Sequence, residues 1–449
     1  MDRIRIGLLV LMVSFLWADK LEYVGGIEIP HGSIYTIYVS GNYAYIGQWD
    51  RLSIVDISEP KIPQIVSSNY GDFFEGVGIH INDTLAYLNK LGGFFSILNV
   101  SNPLSPQPMG WVPVKTGTDD KDISHDFSVI LPCYDAGIAI INVDDPTNPF
   151  VVSYYDTPGF AIDLFDKDSL VYVADYTSLQ IIDIHDPEHP VGLGSLPMPE
   201  DRVGNILYCY DVFVVDTFAF VAAKPAEYDV YGNLFIISVA DPRNPYYIDT
   251  VKVKGSPWCV YCAGDFAYVG AREAWAPEKN SFLNDTLYAP GGLRAVNKRK
   301  IEDAGVTSSV DMSWVRDVFV KDSLVYVVTE DSLLIFRHVY TGIEEEREDG
   351  VVDRVVLLDN HPNPCLWGTW IRYGIPERQR VLLTIYDVAG RRVCTLVNGV
   401  RDAGVYRVWW HGRDDENKPL PSGVYVCRLE AGGKVLSKKI VRISTKEVR

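Results

Sequence analysis

The sequence predicts an all-β protein, a seven-bladed β-propeller followed by a small Ig-like β-sandwich. The nine-residue phrase LSIVDISEP at 52–60 has near-copies at 95–103, 138–146, 179–187 and 234–242, whose closing prolines are 43, 43, 41 and 55 residues apart. A second phrase, AYIG at 44–47, returns between these copies, and no long segment has the apolar period of a helix. A period of about 40–45 residues made of short strands is typical of propellers, with one four-stranded blade per repeat.

The first repeat shows how each blade is interpreted. Gly41-Asn42 predicts the first turn because both residues tolerate positive φ, and Glu59-Pro60 predicts the third because proline is excluded from central strands. The four strands of this blade are expected at 35–39, 44–47, 52–57 and 63–67.

Two shorter and less similar copies of the phrase, at 293–297 and 333–336, bring the number of blades to seven. The last repeat lacks a fourth strand of its own, whereas residues 21–30 read as such a strand and precede the first blade. We therefore expect residues 21–30 to pair with 333–337 and close the ring, which removes the exposed edges of an open array.

Residues 1–18 have the pattern of a secretory signal peptide. Arg3 and Arg5 precede an apolar run at 6–17, and Ala18 offers a small residue for cleavage before Asp19. The alternatives are a buried N-terminal strand and an uncleaved anchor. No other segment is apolar for long enough to cross a membrane, so the mature chain is expected to have no transmembrane segment.

Charge is divided unevenly along the chain. The net charge is −18, yet the residues from 351 onward carry 17 Lys and Arg against 10 Asp and Glu, which leaves −25 on the remainder. This acidic body argues against nucleic acid and anionic membranes as partners, and it permits cations or basic proteins.

The seven cysteines are scattered and odd in number, which argues against a disulfide framework, although export would permit one or two bridges. Cys259 and Cys262 have the spacing of a metal or redox pair. They lie in a predicted strand, however, where residues three apart point to opposite faces. We expect them to be buried small hydrophobes.

The sequence contains no nucleophile, zinc or phosphate-binding motif, and we predict no enzymatic activity. Positions nine residues before the aromatic residue of each second strand form a partly acidic column. Its acids could ring the tunnel and hold a cation such as Ca²⁺, or they could bond backbone amides where each blade begins. We expect the second arrangement, and hence no metal or cofactor. The column consists of Thr36, Gly78, Asp163, Asp211, Cys259 and Asp317.

Loop lengths predict which face of the propeller binds. Connections from second to third strands, and from one blade to the next, emerge on one face, and all four long insertions (110–124, 195–207, 223–233 and 271–291) fall there. Aromatic residues interleaved with acids in such loops suit a sugar, a peptide or a cationic partner. The alternative is that these aromatics only cover the ends of the blades. The candidate binding residues are Trp49, Asp50, Trp111, Tyr134, Asp135, Tyr176, Tyr228 and Trp275.

The last hundred residues differ in pattern from the repeats. Residues 342–350 are strongly charged, so 339–355 is interpreted as an acidic linker unlikely to fold. Six short alternating strands and their turns then predict a sandwich over 356–449. The strands are expected at 370–373, 381–387, 392–397, 404–410, 423–429 and 438–443.

Both parts resemble known families. The repeats over 21–338 resemble the LVIVD family of bacterial surface propellers, with LSIVD at 52–56, which implies a fold and an exported location but no agreed activity. The C-terminal part resembles the type IX secretion (type A) C-terminal sorting domain, which is similar in turn to the Ig-like domain of flagellar hook-capping proteins. The departures are Cys365 and His411, where that family often has Phe and Asp. The matching motif residues are Asn363, Pro364, Gly390, Arg391, Gly404, Trp410, Gly412, Gly423 and Tyr425.

These observations predict an exported, non-catalytic binding or adhesion propeller. The resemblance implies export through the periplasm by the type IX machinery, acting on the C-terminal domain, which is often removed on arrival. The protein is then expected outside the cell or on the outer-membrane surface, with a glycan or a protein as ligand. One alternative is an extracellular hydrolase or lyase acting on polysaccharide, because paired carboxylates need no linear motif. Another is a structural component of a surface layer.

Overall fold

The computed structural model describes residues 20–443 with gaps at 72–73, 75–77, 91, 116–123, 126–128, 201–203, 225–229, 278–285, 299–303, 313, 340–344, 349–351, 366–367, 416–417 and 419. The chain divides into two compact units, one mainly Leu21–His338 and the other mainly Val339–Asp415 with Pro421–Arg449. The described residues form strands and turns without a helix, so none of them provides an apolar helix that could cross a membrane.

The larger unit is a propeller in which the described strands make seven four-stranded antiparallel sheets. Blades 1 to 4 are β2 (Ile34–Ser40), β3 (Tyr43–Gln48), β4 (Arg51–Asp56), β5 (Gln64–Tyr70); β6 (Gly78–Asn82), β7 (Leu85–Lys90), β8 (Phe94–Asn99), β9 (Gln107–Pro113); β10 (Ser124–His125), β11 (Val129–Pro132), β12 (Ile138–Asn142), β13 (Phe150–Tyr155); and β14 (Asp163–Lys167), β15 (Leu170–Ala174), β16 (Ser178–Asp183), β17 (Val191–Pro197). Blades 5 to 7 are β18 (Cys209–Val215), β19 (Phe218–Ala223), β20 (Tyr231–Ser238), β21 (Tyr246–Lys254); β22 (Ser256–Ala263), β23 (Phe266–Arg272), β26 (Gly292–Asn297), β27 (Gly305–Asp311); and β28 (Asp317–Lys321), β29 (Leu324–Val328), β30 (Ser332–Val339) with β1 (Lys20–Glu28). In blade 6 the long insertion forms a separate hairpin of β24 (Ala274–Pro277) and β25 (Thr286–Ala289).

The N-terminal strand closes the ring, as the sequence predicted. Strand β1 pairs with β30 and completes blade 7. Immediately after it, the Ile29 amide donates to the Asp331 carbonyl at 2.7 Å and the Ile34 amide donates to the Glu330 carbonyl at 3.1 Å. Ile29 and Ile34 then share one buried apolar cluster with Ile335. Both ends of the propeller sequence are therefore held in one core.

The repeated phrase forms a strand end followed by a tight turn. At the end of β4 the Asp56 carboxylate accepts the Ser58 amide at 2.8 Å, and residues Asn99, Asn142 and Asp183 do the same in the next three blades. The residue before each closing proline, an acid in four copies and Asn102 in the fifth, closes the following turn, as at Asp145, whose carbonyl accepts the Asn148 amide at 2.9 Å. Short polar side chains that bond amides two residues on are common in turns.

The fourth strands of six blades each contain an extra residue, and such a bulge bends the strand. In blades 1 to 6 the register between the third and fourth strands shifts at a bulge. After the bulge of blade 3, the Ser153 hydroxyl donates to the Pro187 carbonyl of the next blade at 2.6 Å. A Cβ at the equivalent Gly110 would overlap the Pro146 carbonyl oxygen. Small residues here let consecutive blades approach closely.

The smaller unit is an Ig-like sandwich of two described four-stranded sheets. One has the order β31 (Glu345–Glu348), β36 (Gly404–Trp410), β33 (Thr369–Ile375), β32 (Val356–Leu357), and the other β35 (Arg392–Arg401), β34 (Gln379–Asp387), β37 (Gly423–Ala431), β38 (Lys434–Arg442). Residues 345–348 were expected to belong to an unfolded linker, and the structure instead pairs them with β36, from Glu345 opposite Val408 to Glu348 opposite Val405. A strand at the edge of a sheet needs backbone hydrogen bonds on one side only, and charged residues are common there.

Candidate binding site at the mouth of the propeller tunnel

The first strands of the blades line a central tunnel. One cavity is bordered by residues of β2, β6, β14, β18, β22 and β28, the first strands of six blades. Equivalent positions on these strands place six rings around the cavity. From blade 4 through blades 5, 6, 7 and 1 to blade 2, the centroids of neighbouring rings are 4.6 to 5.0 Å apart. This belt consists of Tyr38, His80, Phe165, Phe213, Tyr261 and Phe319.

The acidic column bonds backbone amides, which confirms that part of the prediction. The Asp211 carboxylate accepts the Val260 amide of the next blade at 2.9 Å, and the Asp317 carboxylate accepts the Ile37 amide at 2.9 Å. Asp163 accepts an amide of blade 5 in the same way, at 3.1 Å. These three acids therefore fasten blades 4, 5 and 7 each to the next blade of the ring. The described residues contain no group of three or more His, Cys, Asp or Glu arranged to hold a metal ion.

Bulges at the start of three first strands aim aromatic side chains at the tunnel mouth. The register between first and second strands skips one residue in blades 1, 5 and 6, and the skipped residues are Tyr35, Tyr210 and Trp258. A bulge redirects the extra side chain and often lies beside a functional site. The three rings belong to the face where the blade-to-blade connections emerge, which is the predicted face.

Aromatic side chains from successive blades then form a continuous run, here called the mouth arc. Stacked pairs join Tyr134 to Phe160 at 4.4 Å, Tyr176 to Tyr208 at 4.1 Å and Tyr210 to Trp258 at 4.6 Å between ring centroids. Edge contacts of 5.2 to 6.1 Å join these pairs to each other and to Trp314. The arc continues through the Arg316 guanidinium, 3.4 Å from the Trp314 ring and 5.4 Å from Tyr35, whose ring lies 6.4 Å from Trp49.

Several members of the mouth arc face solvent. Trp49 is 57% exposed, Tyr134 is 42% exposed and Phe160 is 39% exposed. Tyr134 and Tyr176 both have positive φ, 48° and 59°. For bulky residues this backbone conformation is unfavourable, and it is concentrated at functional sites.

A buried carboxylate supports the Tyr176 turn. Asp175 accepts the Thr157 hydroxyl at 2.6 Å and the Gly159 amide at 2.8 Å, and the Ser178 hydroxyl lies at 3.4 Å. Burial raises the pKa of Asp175, because desolvation outweighs these hydrogen bonds. The carboxylate is occupied by its own loops and positions Tyr176 rather than facing a ligand.

The predicted binding residues divide into three groups. Trp49, Tyr134 and Tyr176 lie in the mouth arc, and the exposed Asp135 follows Tyr134 directly. Trp111 lies apart on β9, 5.6 Å from Phe94.

Asp50 pairs with Arg51 at 2.9 Å, and this hydrogen bond lowers the pKa of the carboxyl. Trp275 belongs to β24, but its side chain lies outside the described part of the structure. Tyr228 and the predicted cleavage site at Ala18 and Asp19 also lie outside the described residues.

Sequence reasoning missed part of the rim, although a column of the repeat contains it. The position four residues after Tyr45, Ile130 and Tyr172, which are equivalent in their second strands, holds Trp49, Tyr134 and Tyr176, which were singled out. In blades 5, 6 and 7 the same position holds Lys224, Arg272 and Glu330, which were not. The Lys224 ammonium lies 4.0 Å from the Tyr208 ring centroid and the Arg272 guanidinium 4.6 Å from that of Trp314. Reading the column by position rather than by aromatic content would have found both.

The cysteines behave as buried small hydrophobes, as expected for Cys259 and Cys262. All seven are free and buried. Burial raises the pKa of the Cys262 thiol to about 12, so its reactive thiolate is scarce at neutral pH.

The C-terminal motif residues have structural roles within the sandwich. Asn363 accepts the Val441 amide at 2.8 Å and donates to the Lys439 carbonyl at 3.0 Å, tying the segment to β38. Gly390, with φ of 77°, lies in a turn whose Asp387 carboxylate accepts the Arg391 amide and side chain at 2.9 and 2.7 Å. The roles of Asn363, Gly390 and Arg391 in the fold therefore account for their presence in the motif.

The other motif residues form part of the same core. The buried Trp410 ring meets Tyr425 edge-on at 5.3 Å, and the Tyr425 hydroxyl donates to the Pro421 carbonyl at 2.9 Å. Gly412 has φ of 67°, and a Cβ there would overlap the Arg442 side chain. The same residues would be required in any sandwich of this type, so they do not by themselves indicate sorting.

Comparison with known proteins supports the fold of both parts. The LVIVD repeat matches residues 31–70 and 159–196, and the FlgD Ig-like domain matches residues 376–434. The WD40 beta propeller domain of Doa1 is similar over 70% of this chain and 96% of its own, with 8% identity and a TM-score of 0.53. The computationally designed Ika8 protein is similar over 71% of this chain and 100% of its own, with 12% identity and a TM-score of 0.47. No curated protein matches the sequence. The chain thus carries LVIVD repeats in a β-propeller, followed by a FlgD-type Ig-like domain.

Proposed function

We propose that the protein is an exported, non-catalytic binding propeller that takes its ligand at the mouth arc. The observation that carries this proposal is the pair Tyr134 and Tyr176, held at positive φ on consecutive blades with their rings stacked into the arc. Rigid aromatic side chains lose little entropy on binding, and their faces suit sugar rings.

Replacing these two tyrosines by glycine separates binding from folding. Tyr134→Gly and Tyr176→Gly remove the rings and also relieve the positive φ, so the propeller is expected to remain folded. The control is Tyr246→Ala, a 60% exposed tyrosine on β21 just after a turn of the opposite face. On an array of soluble glycans, we expect the wild type and the control variant to bind, and both glycine variants to lose this binding. Retention of the glycine variants, or failure of every glycan to bind the wild type, would contradict the proposal.

Export is the second part of the proposal. The signal-peptide pattern at 1–18 and the resemblance of the C-terminal domain to sorting domains support it. In a host with a type IX system, the test is the intact mass and location of the protein. We expect a surface or released form that starts at Asp19 and lacks the C-terminal domain. Full-length protein held in the periplasm would contradict sorting by this domain.

The mass of the released form also reports where the domain is removed. Strand β31 pairs with β36 inside the sandwich, so a cut before Glu345 releases all eight described strands of that domain. A cut near residue 350 would leave β31 on the propeller.

A further inference from the structure

The predicted face was expected to offer acids, but the described carboxylates there are largely occupied. Asp175 is buried and bonded by its own loops, and Asp50 pairs with Arg51. Positive side chains stand instead at the rim, at Lys224 and Arg272. Two positive side chains therefore stand beside the mouth arc in a protein whose net charge is −18.

Lys224 and Arg272 have no ion-pair partner within the part of the chain that the structure describes. Other cations on the same side of the propeller do: Lys254 and Arg294 share Asp311 at 3.1 and 2.8 Å. Lys224 and Arg272 instead rest on aromatic rings. Stacking on a ring leaves the in-plane N–H groups of a guanidinium available to a carboxylate or sulfate.

The two cations flank an aromatic pair. Lys224 and Arg272 occupy the same position on consecutive blades, one after β19 and the other at the end of β23. Tyr210 and Trp258, the bulged residues of the first strands of the same two blades, stack at 4.6 Å. An aromatic platform between two positive groups matches a sugar ring that carries or adjoins an anionic group.

We propose that the ligand taken at the mouth is an anionic glycan, whose carboxylates or sulfates bind Lys224 and Arg272 while its sugar rings pack against the stacked pair Tyr210 and Trp258; this rests on the proposed function of the same site. Burial lowers the pKa of the Lys224 ammonium, and an anionic group beside it offsets that loss of hydration.

The test compares matched ligands that differ only in charge. Polygalacturonate is paired with its methyl ester, and chondroitin sulfate with its desulfated form. Each is titrated by calorimetry into the protein that lacks residues 1–18 and keeps both domains. In one pair we expect removal of the anionic group, by methyl esterification of the carboxylates or by desulfation, to weaken binding at least about tenfold, with affinity of the parent glycan falling as salt rises. The two pairs distinguish a carboxylate from a sulfate as the recognised group.

Charge-removing variants then locate the contact. Lys224→Gln and Arg272→Gln should each weaken binding of the charged glycan about tenfold, while Arg243→Gln, an exposed arginine in a turn of the opposite face, should leave it unchanged. Equal binding of the two members in both pairs, lost with Tyr176→Gly, would overturn the anionic preference and leave the proposed site standing. Absence of all glycan binding, or binding unaffected by every mouth variant, would overturn both. Tighter binding of single-stranded DNA than of either glycan would overturn the glycan assignment.

Discussion

The contact between the fourth strand of one blade and the turn of the next predicts a large cost for adding a single methyl group at Gly110. A Cβ there would overlap the Pro146 carbonyl oxygen and stand 2.7 Å from Cδ of Pro149. Backbone atoms cannot swing aside as the tip of a long side chain can, so blades 2 and 3 must separate slightly. Overpacking of this kind costs about 1–3 kcal/mol. The equivalent place in blade 3 holds Ser153, whose hydroxyl donates to the Pro187 carbonyl of the next blade.

The expected change in melting temperature follows from the size of the propeller. The unit spans roughly 320 residues, and at about 2.1 cal/mol/K per residue each kcal/mol moves Tm by about 1.5 °C. Gly110→Ala should therefore lower Tm by about 2–5 °C in scanning calorimetry. Gly194→Ala should act alike, because its Cβ would overlap the Pro242 carbonyl oxygen.

The matched control is Gly305→Ala, in the fourth strand of blade 6. An added Cβ at Gly305 meets nothing within 4 Å. Since alanine restricts the unfolded chain more than glycine does, this variant should be neutral or more stable by up to about 1 kcal/mol. Equal melting temperatures for Gly110→Ala and Gly305→Ala would refute the account of close blade contact.

Four further outcomes are expected. Asp317→Ala should destabilise the propeller by about 2–4 kcal/mol, because it removes the acceptor of the Ile37 amide where the ring closes, and urea unfolding measures this. Deleting residues 20–28 should leave β30 as an exposed edge and cause aggregation, which light scattering detects; a monomeric product would argue against strand closure. Asp175→Asn should be as stable as the wild type or more so at pH 7. Because the pKa of Asp175 is raised on folding, its ionisation costs stability as pH rises above 3.8, so the variant's advantage should shrink on acidification, and pH-dependent melting tests this. All seven thiols should resist a thiol reagent in the native protein and react after denaturation; a disulfide found by mass spectrometry would contradict the buried, free state.

Much of the propeller could be predicted because its determinants are local and repeated. Asp56 and Pro60 form a strand end and a turn through contacts only a few residues away, so each copy of the phrase marks one blade. The closing strand was predictable for a related reason, since a repeat without its fourth strand leaves an edge that the N-terminal residues match. The interpretation was wrong at 345–348, where the charge pattern suggested a linker, because pairing with β36 depends on backbone hydrogen bonds rather than on apolar side chains.

The sequence by itself determined the number of blades, their order, the closure of the ring and the face that carries the long loops. Only the tertiary structure decided which side chains meet at the mouth. Tyr210 and Trp258 stack because bulges in two separate blades turn both rings the same way, and the sequence period does not reveal a bulge. Lys224 and Arg272 become parts of that site through rings supplied by other segments of the chain, Tyr208 and Trp314. Turns follow from neighbours along the chain, whereas this site depends on distances between blades, which are fixed only when the ring is packed.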